Sequence, residues 1–321
     1  MKWEGEIKDF VVHGDIHGDA MKIKAFTEEY SVENYALIIL GDAGLNFYCN
    51  KTDRRIKEFV QSLGCLVYLV RGNHEERPEN ISTMLNGYDE VVDGYVYYEE
   101  NYPNIRYFMD GSIYNLNGYS TLVIGGAYSV DKNYRLARAK ANHEEGWDPL
   151  QHWTGWFKDE QLTLEEMFNI QSNVKDLSFD FVLTHTCPYS WRPINLFLNG
   201  INQSQVDNTM EKWMDTLRRE ITWKCAWLFG HFHEDNIIRP HVEMFMNRYE
   251  TLQEIAKRWQ NWDNGIRIPW GVTLNHTTYG FWNQDLAERK SFEYQSQFSK
   301  HRDPDIMDDE EEDWSDENFE I

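Results

Sequence analysis

Short apolar runs along the chain end repeatedly in polar clusters. Three such runs occupy residues 10–12, 36–40 and 65–70, and the cluster after each contains a glycine. Each run is typical of a buried strand that delivers polar side chains at its carboxyl end. Residues 20–30 and 53–63, between the runs, have helical spacing of their apolar positions. This alternation predicts right-handed crossovers and a largely parallel core sheet.

The pattern changes after residue 95 to short β-rich segments separated by turn residues. Ser112–Leu116 and Ser120–Ile124 flank Asn117-Gly118, a pair that favours a hairpin turn. The remainder of the pattern predicts helices over 131–143, 159–174, 205–221 and 248–262 and strands over 179–183 and 223–229. We therefore expect one α/β domain over residues 1–300.

The charge of the chain is strongly negative and unevenly distributed. The formal net charge is −23, and eleven acidic residues against Arg302 in residues 301–321 account for −10 of it. We expect this segment to be a disordered tail. The remaining −13 repels a phosphate backbone, so long DNA or RNA is not an expected partner. Residues 234–300 match no motif and are expected to form an extension or cap on the domain.

The four cysteines do not suggest a disulfide framework or a zinc finger. Cys49, Cys65, Cys187 and Cys225 stand far apart, with no C-x-x-C pair. The sequence also has no long apolar run that would indicate a membrane span or a signal region. We therefore expect reduced thiols, a cytoplasmic location and no membrane partner.

Residues that commonly bind metals stand where the predicted strands end. They are Asp15, His17, Asp42, Asn73, His74, His185, His231 and His233. Because the carboxyl ends of strands in an open α/β sheet meet at one edge, these residues can converge. Carboxylate oxygen together with imidazole suits Mn, Fe or Zn. Two such ions could activate a hydroxide for in-line attack on phosphorus, and the carboxylate of Asp42 could bridge them.

The order of these residues resembles a known family signature. Asp15-Ile16-His17, Gly41-Asp42, Gly72-Asn73-His74-Glu75, His185 and Gly230-His231-Phe232-His233 are similar to the five blocks of the calcineurin-like metallophosphoesterase superfamily. The resemblance implies a four-layer αββα sandwich of two mixed β-sheets flanked by helices, with a dinuclear metal site on strand-end loops.

The resemblance also implies a role for each residue. Asp15, His17 and His233 would hold one metal, and Asn73, His185 and His231 the other, with Asp42 as the bridge. His74 would stay off the metals and act as the general acid, while Asn73 would also stabilise charge on the phosphoryl oxygens. Manganese is the expected metal, with Fe, Zn, Ni or Co as alternatives.

One block departs from part of the superfamily. Phosphoprotein phosphatases and diadenosine tetraphosphate hydrolases share G-D-x-x-D-R-G, whereas Leu45 and Asn46 stand here where that motif has its second Asp and its Arg. Their substrates should therefore not be transferred to this chain. The blocks G-D-A-G, G-N-H-E-E-R-P and G-G-A-Y-S-x-D look closer to bacterial and phage metallophosphoesterases of unassigned substrate.

The sequence predicts metal-dependent hydrolysis of a phosphate ester, in a small molecule, a nucleotide or a phosphoprotein. Arg71 and Arg135 are candidates for phosphate contact, because a guanidinium matches phosphoryl oxygens. A binding module that keeps the fold without turnover is the alternative, and a nuclease is a third, which the acidic charge disfavours. The choice between monoester and diester, and the oligomeric state, are left open.

Overall fold

The computed structural model describes residues 3, 5–141, 153–197, 201–266, 270–274 and 277–281, which contain two large β-sheets and one sheet of two strands. The first sheet contains β1 (Asp9–His13), β2 (Tyr35–Ile39), β3 (Val67–Leu69), β4 (Met84–Asp89), β5 (Gly94–Glu99), β6 (Ile105–Phe108) and β13 (Glu250–Thr251). The second contains β7 (Ser112–Leu116), β8 (Tyr119–Ile124), β9 (Ser178–Thr184), β10 (Thr222–Phe229), β11 (Asn236–Arg239) and β12 (Val242–Met244).

The central strands of each sheet are parallel. The first sheet has the order β13-β1-β2-β3-β6-β5-β4, in which β1, β2, β3 and β6 run the same way. The second has the order β11-β12-β10-β9-β8-β7, in which β8, β9, β10 and β12 are parallel. The carboxyl ends of these strands therefore meet at one edge of each sheet, as the alternating pattern predicted.

Helices cover the outer faces of both sheets, which confirms the four-layer αββα sandwich. The helices are α1 (Ala20–Glu29), α2 (Lys51–Ser62), α3 (Lys132–Ala141), α4 (Leu164–Val174), α5 (Thr209–Leu217) and α6 (Leu252–Asp263). Helices α1 and α2 pack on the first sheet, and α4 and α5 on the second. Val12 and Ile38 of one sheet meet Leu183 and Leu228 of the other in a fully buried core. Each such side chain contributes roughly 1.5–3 kcal/mol on burial.

Local sequence explains the turns and the helix starts. Asn117 and Gly118 both have positive φ, 52° and 91°, as the predicted hairpin between β7 and β8 requires. Helix α4 begins at Leu164, not at 159, because Thr163 and Glu166 form a capping box. Helix α6 begins at Leu252, not at 248, because Thr251 caps it in the same way.

Residues 236–263 contribute strands to both large sheets and form helix α6. Strands β11 and β12 extend the second sheet, β13 pairs with β1, and α6 adds Leu252, Ile255 and Trp259 to the core between the sheets. Strands β14 (Trp270–Leu274) and β15 (Thr277–Phe281) form a separate two-stranded sheet. The acidic segment 301–321 lies outside the described residues.

The four cysteines are all unpaired. None of the helices in the described ranges combines the length and the apolar character that crossing a membrane would need.

Candidate metal centre

The predicted ligands all follow strands at the carboxyl edge of the sandwich. Asp15 and His17 follow β1, Asp42 follows β2, Asn73 follows β3, His185 follows β9, and His231 and His233 follow β10. Contacts between the sheets bring the two sets together: the His231 amide donates to Asp15 Oδ1 at 3.0 Å, and His185 Nδ1 lies 2.7 Å from the Leu40 carbonyl. Residues more than 200 positions apart thus share one site.

The backbone at four of the seven predicted ligands is in the left-handed region. The φ angles are 46° at His17, 45° at Asp42, 69° at His231 and 56° at His233. Side chains other than glycine adopt this region at a cost of order 1–3 kcal/mol, and such residues cluster at functional sites. The strand-end loops therefore hold these side chains in an otherwise unfavourable conformation.

Asp15, His17 and His233 form one group that could hold a metal ion. One ligand atom from each lies within 4.8 Å of the others. His17 Nε2 and His233 Nε2 are 2.9 Å apart, and His233 Nε2 lies 3.3 Å from Asp15 Oδ2. That carboxylate oxygen is buried and accepts no hydrogen bond within the described structure. Two imidazole nitrogens and an unsatisfied carboxylate oxygen around one point fit a divalent ion of the Mn, Fe or Zn type.

Asp15, Asp42 and His185 form a second group, so Asp15 is common to both. His185 Nε2 lies 3.6 Å from Asp42 Oδ1 and 2.8 Å from Asn73 Oδ1. The ring of His231 lies 5.0 Å from that of His185, centroid to centroid. The geometry thus makes Asp15 the shared member, and the bridging role of Asp42 stays a prediction.

Two further hydrogen bonds orient the side chains of predicted ligands toward the site. His185 Nδ1 faces the Leu40 carbonyl, which leaves Nε2 for a metal. Asn73 Nδ2 donates to Ser129 Oγ at 2.9 Å, which turns the amide oxygen of Asn73 toward the site. Ser129 is itself held by Glu160, whose Oε1 accepts from the Ser129 amide at 3.1 Å. Burial raises the pKa of Glu160 to about 7.

The Ser129→Ala variant should bind manganese about 10- to 100-fold more weakly, because Asn73 loses the acceptor that orients its amide. Titration of the chelator-treated protein with manganese measures this. Ser190→Ala, which removes a hydroxyl bonded to Asp215, is the control and should bind normally. Unchanged affinity in Ser129→Ala would show that Asn73 needs no support or binds no metal.

The ionisable groups of the site shift one another's pKa values strongly, because they lie close together in a buried place. Burial raises the pKa of Asp15, but the charges of His185 and His233 outweigh it and lower the pKa to about 2. Burial lowers the pKa of His185, but the carboxylates of Asp42 and Asp15 raise it to about 9. Burial and the charge of His185 lower the pKa of His231 to about 3. Without a metal, the His185 proton thus supplies positive charge between the two carboxylates.

His74 lies beside the two groups and belongs to neither. Its amide donates to Asp42 Oδ1 at 2.8 Å, and its ring centroid is 6.0 Å from that of His17. Its Nδ1 is buried without a hydrogen-bond partner in the described structure. Burial lowers its pKa, the charge of Asp42 partly offsets this, and the charge of Arg135 adds to the lowering.

This arrangement agrees with a match found at the level of sequence families. The profile of the calcineurin-like phosphoesterase family matches residues 9–235, which include every predicted ligand. The chain belongs to this family. No curated protein matches the chain at a significant level.

The glycines of the phosphoesterase blocks leave space for the ligands. A Cβ on Gly41 would lie 2.1 Å from His185 Nδ1, and one on Gly72 would lie 2.0 Å from Asp42 Oδ1. No carbon atom fits at either distance. The G-D and G-N-H blocks of this chain therefore need glycine for the close approach of their loops.

The two predicted phosphate-binding arginines occupy different environments. Arg71 is buried, and its guanidinium donates to Asp110 Oδ2 at 3.0 Å and to the carbonyls of Glu160 at 2.8 Å and Gly125 at 3.2 Å. The structure therefore does not bring Arg71 to the open side of the site. Arg135 is half-buried on α3, and its charge acts on His74. Of the two, Arg135 is the one that is partly exposed, and its role in phosphate binding stays a prediction.

Ser129 was not predicted as a site residue. It lies in Gly125-Gly126-Ala127-Tyr128-Ser129, a segment whose similarity to bacterial and phage metallophosphoesterases was visible in the sequence. A serine hydroxyl carries no metal-ligand signal of its own. Its role becomes apparent only from the contact with Asn73, 56 residues earlier in the chain.

Proposed function

We propose that this chain hydrolyses phosphate esters with two divalent metal ions. The proposed ligands are Asp15, His17, Asp42, Asn73, His185, His231 and His233. The observation that carries the proposal is the pair of ligand groups that share Asp15 within a calcineurin-like phosphoesterase fold. Manganese is the proposed metal, since a mixed set of carboxylates and imidazoles suits it.

The proposed site residues would each have a definite part in the reaction. Divalent ions at these ligands would lower the pKa of a water molecule and neutralise charge on the phosphoryl oxygens. Asn73, oriented by Ser129, would stabilise the same oxygens. His74 would pass its proton to the departing alkoxide oxygen. The buried carboxylates would keep the ligand histidines in place.

The test is turnover of p-nitrophenyl phosphate and of its bis-ester by chelator-treated protein before and after manganese addition. Turnover that appears only with manganese supports the proposal, and the preferred ester separates a monoesterase from a diesterase. Folded, manganese-loaded protein that hydrolyses no ester would favour the silent binding module. The presence of His74 beside the ligands supports turnover over that alternative.

Two further properties are part of the proposal. A net charge of −23 argues against long nucleic acid as the substrate. The unpaired cysteines are compatible with the proposed cytoplasmic location, where thiols stay reduced.

Manganese affinity should rise with pH up to about pH 9. In the metal-free protein, the nearby carboxylates raise the pKa of His185 to about 9 despite its burial. The metal must displace this proton, so one released proton increases the affinity about tenfold per pH unit below the pKa, with a plateau above it. Competition for manganese with a chelator across this range checks the slope. An affinity independent of pH would mean that His185 is not a ligand.

A further inference from the structure

Three aromatic rings form an exposed patch beside the centre. We call Phe47, Tyr48 and Trp153 the aromatic patch. Trp153 is 56% exposed and Tyr48 41% exposed. The Phe47 centroid lies 4.8 Å from that of Tyr48 and 5.4 Å from that of Trp153, and Tyr48 and Trp153 stack at 5.4 Å and 25°. Large rings packed on one another at the surface provide a rigid stacking platform.

The patch adjoins the His74 side of the centre. Phe47 and Tyr48 lie on the loop after β2 that also carries Asp42. The carbonyl of Asn46 accepts from the amide of Glu76 at 2.9 Å, which joins this loop to the loop that carries His74. The proposed general acid and the platform are therefore neighbours.

Arg135 contacts the patch and lies close enough to the centre for its charge to act on His74. Its Nε donates to Asp131 Oδ2 at 2.6 Å, and its Nη1 donates to the Gly155 carbonyl at 3.3 Å. Its Cζ is 5.8 Å from the Phe47 centroid. These contacts fix the guanidinium, and Nη2 donates to no acceptor in the described part of the chain. Asp131 follows Ser129, the residue that contacts Asn73, by two positions, so the segment before α3 connects this arginine to the centre.

Gly155 marks the point where the arginine and the rings come together. A Cβ placed on it would lie 3.2 Å from Arg135 Nη1, 3.5 Å from Trp153 Cη2 and 3.6 Å from Phe47 Cζ. One small region therefore has a guanidinium donor and two aromatic rings as neighbours. The φ of 69° at Gly155 also disfavours any side chain there.

Two chemical groups fit this region together. A guanidinium binds phosphoryl oxygens, and exposed ring faces bind another planar ring. His74 would protonate the leaving oxygen, so a ring that reaches the patch next to it belongs to the leaving alcohol. Arg135 contacts Phe47, the half-buried ring of the patch, so a ring stacked on the exposed Tyr48 and Trp153 would need a spacer to a phosphoryl oxygen on Arg135. A nucleoside has such a spacer in its sugar, whereas a phenyl ester does not.

We propose that the substrate is a phosphate ester whose leaving alcohol is a nucleoside, with the base on the aromatic patch and a phosphoryl oxygen on Arg135. This inference rests on the proposed function. The base should be recognised by stacking and not by its edge, because Trp153 Nε1 already donates to the Phe47 carbonyl at 3.3 Å. Purine and pyrimidine nucleotides should therefore both be substrates.

The test compares substrates that differ only in the base. AMP and ribose 5-phosphate have the same phosphate and the same leaving oxygen, and their methyl phosphodiesters form the equivalent pair for a diesterase. With manganese, kcat/KM should be about 10- to 100-fold higher for the substrate that carries the base than for the one without it. This is the range expected from the stacking of one base on an aromatic side chain. In Trp153→Leu, this ratio should fall toward one.

Tyr95→Leu is the control variant. Tyr95 is 58% exposed on β5 of the first sheet, next to the edge strand β4, and its loss should leave the ratio unchanged. A wild-type ratio near one, or a high ratio that survives in Trp153→Leu, would overturn the inference while the proposed function stands. Preference for phosphotyrosine over AMP would also overturn it. Absence of manganese-dependent turnover on these substrates and on p-nitrophenyl esters would instead remove the proposed function and the inference together.

Discussion

The Asp42→Asn variant should lose turnover almost completely. Asp42 is buried beside His185 and Asn73, and its Oδ1 also accepts from the His74 amide. Asparagine retains the shape and one acceptor oxygen but loses the negative charge that holds a cation. Electrophilic assistance by a metal contributes several kcal/mol, so we expect a loss of about 10³-fold or more in kcat, together with loss of bound metal.

Asp9→Asn is the control for this experiment. Asp9 lies at the other end of β1, is also buried, and accepts from the amides of Phe10 and Gln253. Its replacement should leave metal content and turnover in place. Full turnover in Asp42→Asn, measured with p-nitrophenyl esters and manganese, would exclude Asp42 from the centre.

The His74→Ala variant should lose turnover yet keep its metals. His74 adjoins both ligand groups without belonging to either, so its loss removes the proton donor alone. General acid catalysis contributes about 10²- to 10⁴-fold. The loss should be larger for an alkyl ester than for a p-nitrophenyl ester, because p-nitrophenolate needs little protonation to depart.

His241→Ala is the matched control for His74→Ala. This half-buried histidine contacts the Cys225 carbonyl and Asp263, away from the ligands. It should keep full activity. Equal losses in His74→Ala for alkyl and p-nitrophenyl esters would contradict the role of His74 as acid, and loss of metal would make it a ligand.

The strand ends were predictable because two independent signals coincide there. A buried apolar run such as 36–40 and the Gly41-Asp42 that follows it identify both the strand and the polar residue at its end. The glycine has a steric cause, the close approach of His185. Such local signals place a ligand on its loop, but they do not reveal which ligands face each other.

The environment of Arg71 was not predictable, because its partners are distant in sequence. Asp110 and Glu160 lie 39 and 89 residues away, and they bury the guanidinium in a structural network. The contact between Ser129 and Asn73 was not predictable for the same reason, because the two residues are 56 positions apart. In contrast, the late starts of α4 and α6 have local causes, the capping boxes at Thr163 and Thr251, which helical periodicity alone does not register.

The number of metal ions per chain tests the central claim most directly. Chelator-treated protein would be titrated with manganese, with bound metal and ester hydrolysis measured on the same samples. The two groups around Asp15 predict two ions per chain, with hydrolysis that follows occupancy of the second. A folded protein that binds no manganese, or that is fully active with one ion, would contradict the two-metal centre.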